Sequence, residues 1–132
     1  MRGERGSMLP MAAGLIFVAF SVAALVVEIS LLGAAYRDVA TVADLAAESA
    51  AAKLSNAGAY EAVISLDVEA AVAEAERVGG MWGSGDERVT VQADHARVCV
   101  TITDVYRPRT LAFIGVRTVV VKATGCAIPI AG

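Results

Sequence analysis

The sequence has one histidine and two cysteines in 132 residues, too little for a zinc site or a histidine-dependent catalytic centre. Its eleven lysines and arginines form no basic block, and the formal net charge is −3. That excludes the clustered positive surface nucleic acid demands. No Ser/His/Asp or Cys/His catalytic spacing occurs, and the single His95 falls in "ADHA", which reads as a solvated turn. The Gly-rich stretch "GGMWGSGDE" (79–87) lacks a P-loop lysine, a strand leading in and a helix directly after it. It is therefore no phosphate cradle, and its Trp82 reads as a lid over a core edge. The acids are spread over helix faces and turns, as solvated charges are. Neither an enzyme nor a cofactor is read from this chain.

What the chain has in abundance is apolar surface. Hydrophobic residues make up 57% and mean hydropathy is +0.63, with the excess in residues 8–35 and in the Ala-rich stretches after them. From Met8 to Val27 only Pro10, Gly14 and Ser21 interrupt an uncharged run. Twenty residues of helix rise about 30 Å, enough to cross a bilayer core. The run is longer than the apolar region of a secretory signal, and its one tolerable cleavage site, Gly33-Ala34-Ala35, lies beyond the charge of Glu28. Arg2 and Arg5 precede the run with no equal basic cluster after it. The positive-inside rule then predicts a single-pass protein of the cytoplasmic membrane, N-terminus inside and residues 37–132 extracytoplasmic. Glu28 has two readings: it reaches the headgroups at the outer interface, or it pairs with a partner in an assembly.

The helical pattern continues past the membrane. Tyr36, Val39, Ala43, Ala46, Ala47, Ala50 and Leu54 share one face, with Arg37, Asp38, Thr41, Asp44 and Glu48 opposite. No Gly or Pro occurs between Ala34 and Asn56, and Ala is the best helix former. One helix is predicted over residues 8–54, about 70 Å long, with Asn56 and Gly58 as its stop. Its Ala-lined stripe lets another element approach closely. "SLDVEAAVAEAERVGG" predicts a second helix, with Asp67 as N-cap, Glu69 in the first turn, Gly79-Gly80 at the end and Val68, Ala71, Val72, Ala75 and Val78 as its apolar stripe.

After Asp86 the period changes to two. Val89, Val91 and Ala93, then Val98, Val100 and Ile102, then Val119, Val121 and Ala123 alternate with mostly polar neighbours. These are three half-buried strands, the first two a hairpin. The link "YRPRTLAFIG" carries an apolar patch, Leu111–Ile114, placed to cover the sheet edge or touch a neighbour. Cys99 and Cys126 fall on the polar faces of their strands, and an extracytoplasmic compartment permits a disulfide. A simple hairpin centred on the link would instead set Cys99 opposite a residue nearer Val121. The predicted fold is α+β: a long N-terminal transmembrane and amphipathic helix, a short second helix and a three-stranded antiparallel sheet packed on the long helix. It divides into a basic leader (1–7), the helix (8–54) and a small extracytoplasmic head (55–132).

The stretch Arg5-Gly6-Ser7, the apolar span 8–27, Glu28 and the Ala-rich run Val42–Ala52 resembles a known pattern. It is similar to the TadE/TadG-like proteins of tight-adherence (Flp-type) pilus systems, in their actinobacterial style, over about residues 4–54, with a pilin-like fold. The resemblance implies a minor pilin or pseudopilin that inserts in the membrane and assembles through its helix, with Pro10, Glu28, Tyr36 and Asp44 on that helix. Its partners would be the lipid membrane, other pilin-like subunits and the pilus-assembly platform, and its destination a cell-surface pilus or related secretion machine. A prepilin peptidase would cut between Gly6 and Ser7. The fifth residue of that product is Met11, where processed pilins carry Glu, so an uncut anchor stands beside the cut form. The alternative function is a membrane-tethered extracytoplasmic binding module outside any filament.

Overall fold

The computed structural model describes residues 8–54, 64–82 and 85–129. Helix α1 runs Met8–Ala51, 44 residues in one piece, about 66 Å at 1.5 Å per residue. The hydroxyls of Ser21, Ser30 and Thr41 donate to the carbonyls four residues back (2.9, 2.8 and 2.8 Å). Polar side chains in an apolar helix are satisfied this way. The helix stops three residues short of the predicted Leu54. The Lys53 carbonyl accepts from the Asp67 amide at 3.0 Å, and Leu54 forms a bridge with Leu66, so pairing with the segment before the second helix draws the chain off α1. Gly6, Ser7, Asn56 and Gly58 lie outside the described residues.

Helix α2 spans Val68–Gly80, and the Asp67 side chain caps it by accepting from the Ala70 amide. Strands β1 (Arg88–Ala93), β2 (Val98–Tyr106) and β3 (Val119–Ala127) form an antiparallel sheet in the order β1-β2-β3. The second and third run further than the alternation marks. The α+β class and the packing of the sheet on the long helix are as expected. Asp94 shapes the β1–β2 turn by accepting from the Ala96 and Arg97 amides. In that turn the His95 carbonyl accepts from the Leu66 amide, so the exposed histidine serves to join the turn to the segment before α2.

The C-terminal half of α1 packs against β2 and β3 and against α2. Its buried stripe is small: Ala43, Ala46, Ala47 and Ala50 meet Ala71 and Ala75 of α2 and the inward strand residues Val98, Val100, Ile102, Val121 and Ala123. Tyr36, which the face pattern places on this stripe, is exposed; it lies at the stripe's edge. Gly125 of β3 comes so near α1 that a Cβ there would fall 2.6 Å from the Ala43 carbonyl carbon and the Asp44 nitrogen. Asp44 itself is exposed. Gly79 similarly fits beneath Val89.

Cys99 stands opposite Cys126 and the two form a disulfide. The register differs from the simple estimate because the link is longer on the β3 side: Leu111–Ile114 form a 3-10 turn and pairing resumes at Tyr106 opposite Val119. The disulfide and the Thr101–Thr124 hydroxyl bond (2.8 Å) share the sheet face turned away from α1.

Three changes have defined outcomes for unfolding in detergent micelles. Gly125→Val forces β3 off α1 and destabilises by roughly 2–3 kcal/mol or more, whereas Gly33→Ala, whose Cβ meets nothing within 4 Å, stabilises by up to about 1 kcal/mol. Reducing the disulfide, which closes a separation of 27 residues, removes about 3–4 kcal/mol.

Candidate functional site

Two features stand out beyond the core. The first is Glu28. Counting back from Val39 along the buried stripe in steps of three and four gives Ala35, Leu32 and Glu28, so this acid is the last stripe position before the apolar run. Only 2% of it is exposed. Its sequence position offers contact with headgroups or with a partner; the bonds it makes here are within its own chain. Its carboxylate is held by the β2–β3 link of its own chain. Oε1 accepts from the Tyr106 hydroxyl (2.8 Å) and the Arg109 amide (3.2 Å). Oε2 accepts from the Thr110 amide (2.9 Å) and, in a short bond, from the Thr110 hydroxyl.

A buried carboxylate is costly unless its oxygens are paired. Here two backbone amides and two hydroxyls do the pairing, and among the described residues no cation forms an ion pair with it. The bond to the carboxylate, burial and the carboxylate charge together hold the Tyr106 hydroxyl above the ordinary tyrosine range. The link is tied a second time by Arg107, whose guanidinium donates to Asp86 at 2.6 Å; this pair is exposed, and such pairs stabilise little. Glu28 therefore fixes the link at the end of the apolar run. Sequence reasoning placed Glu28 but not its partners; the stripe carried back past Tyr36 would have shown that it faces the head.

The second feature is a groove of about 450 Å³ between α1 and the sheet, lined by Val39, Leu45, Trp82, Glu87, Ile102 and Asp104 among others. Trp82 borders it but is 71% exposed, so it is not a closed lid over the core. Burial first, then the Asp104 charge, raises Glu87 above the ordinary carboxylate range. Among the described residues no cluster of His, Cys, Asp and Glu is arranged to hold a metal ion. Pro10 lies exposed in the first turn of α1.

Replacing Glu28 with Gln puts an NH₂ donor where an oxygen accepts two bonds. Hydrogen exchange is expected to quicken about tenfold at the Arg109 and Thr110 amides, while Val100 and Ile102 keep their protection. Comparison with protein families, characterised proteins and solved structures gave no match.

Proposed function

We propose that this protein is a minor pilin- or pseudopilin-like component of a tight-adherence pilus or a related secretion machine, inserted through residues 8–27 and assembling through α1. One observation carries the reading. A single unbroken helix is bare and apolar over its first half and built into a folded head over its second. Such a helix passes from lipid into a bundle of like helices without uncovering backbone polar groups, since both surroundings are apolar and the amides beyond the first turn are bonded within the helix. The resemblance of residues 4–54 to TadE/TadG-like proteins gives the system its name. In this reading Arg2 and Arg5 stay in the cytoplasm and the head lies outside.

The groove beside Trp82 favours a second reading, a tethered binding module, because it is open and combines apolar walls with Glu87 and Asp104. In that case the head would bind a soluble ligand and the helix would only hold it in place.

The N-terminal mass of protein from native membranes, with photo-crosslinkers at positions 17 and 18, tests the proposal. Phe17 and Val18 are exposed. Adducts with pilin-like subunits or platform proteins are expected, and a start at Ser7 adds processing by a prepilin peptidase. Lipid adducts alone, with the start at Met1, overturn the assembly reading and leave a permanent anchor.

A further inference from the structure

The link that Glu28 holds carries apolar side chains with nothing over them. Phe113 is 93% exposed and Ile114 75%, both in the 3-10 turn that follows Thr110. In the patch read from sequence as covering the sheet edge or touching a neighbour, these two side chains thus face away from the protein. Its position along α1 is fixed. Thr110 bonds Glu28 through both amide and hydroxyl, and a 3-10 helix rises about 2 Å per residue, so Phe113 lies within about one turn of the clamp. Glu28 directly follows the run Met8–Val27. The turn is therefore at the level where the apolar run ends. β2 and β3 rise away from it, since Tyr106 meets Glu28 while Cys126 and Ala127 lie beside Glu48 and Ala51 at the far end of α1.

Charge points the same way. Residues 107–118, "RPRTLAFIGVRT", contain three arginines and no carboxylate, in a chain whose net charge is −3. Arg107 is engaged with Asp86. Arg109 and Arg117 are exposed, flank the apolar turn on either side and form no ion pair with the described residues. An aromatic and an aliphatic side chain framed by arginines at the boundary of an apolar span match the layered chemistry of a bilayer surface.

We propose that the Leu111–Ile114 turn docks on the bilayer where the span ends, with Phe113 and Ile114 in the interfacial layer and Arg109 and Arg117 on anionic headgroups. This rests on residues 8–27 being a span. The docked turn gives the head a second membrane contact, so that the base of the head, already fixed to α1 through Glu28, rests on the bilayer surface.

The test uses the full chain in vesicles of zwitterionic lipid, with and without an anionic lipid, and a Trp82→Phe background. Phe113→Trp supplies one probe and Phe17→Trp, in a separate protein, the other. Expected at position 113 are blue-shifted emission and quenching by lipids brominated near the headgroup. Arg109→Gln and Arg117→Gln should each lower the docked-to-free ratio about fivefold in anionic vesicles. Water-like emission at position 113, unquenched in either vesicle, overturns the docking. Position 17 reports on the span separately: quenching by deep bromines supports it, and its absence overturns the span whatever position 113 shows. Both substituted phenylalanines are exposed, so neither change touches the core.

Discussion

The head depends on how closely α1 and the sheet approach each other. Ala43, Ala46, Ala47 and Ala50 present almost no side chain, and Gly125 presents none, so helix and strand backbones come nearly into contact. α2 reaches another part of the same helix with Ala71 and Ala75. Small residues bury little area each, so this core gains its cohesion from dispersion over many close atoms rather than from large side chains. Its bulk comes from the strands, where Val98, Val100 and Ile102 fill the space the alanines leave. The arrangement requires α1 to be straight and continuous, because a bend would open the seam along its whole length.

Much of this was legible in the residues. The twofold alternation put Val98, Val100 and Ile102 inward and Cys99, Thr101 and Thr103 outward, and the strands follow that pattern. Asp67 marked the start of α2 because an acid at that place satisfies a free amide. The Ala stripe marked the side of α1 that packs. Less legible was whatever depends on one segment meeting a distant one. The end of α1 is set by Lys53 and Leu54 pairing with residues near 66 and 67, and no local signal reports that. The cysteine register turned on how many residues the link consumes in its 3-10 turn. The partners of Glu28 lie about eighty positions away in the chain, and an acid by itself names no donor.

Glu28 joins two halves of α1 that differ in their surroundings. Below it α1 is bare; above it α1 is core. A carboxylate with four donors from one short segment is a directional joint, since amides and hydroxyls converge on it at set angles. Hydrophobic packing alone would let the head slide along or roll around a smooth alanine stripe. The joint fixes height and rotation together, and with them which side of the bare helix lies beneath the sheet. In the assembly proposed for this chain, that relation would be carried unchanged from membrane to bundle.

The disulfide has a mechanical meaning. Cys126 is the next-to-last residue of β3, and its partner lies near the start of β2. A pull on the chain beyond Ala127 reaches a covalent cross-link after one residue. The load passes into β2 there, and the hydrogen bonds between Gly125 and Val119 are spared from opening one after another like a zipper. At the other end of the same hairpin the Glu28 joint passes tension to α1. Force applied at the C-terminal edge of the head is thus routed through a bond and a strand into the long helix, and the small core is not asked to resist peeling.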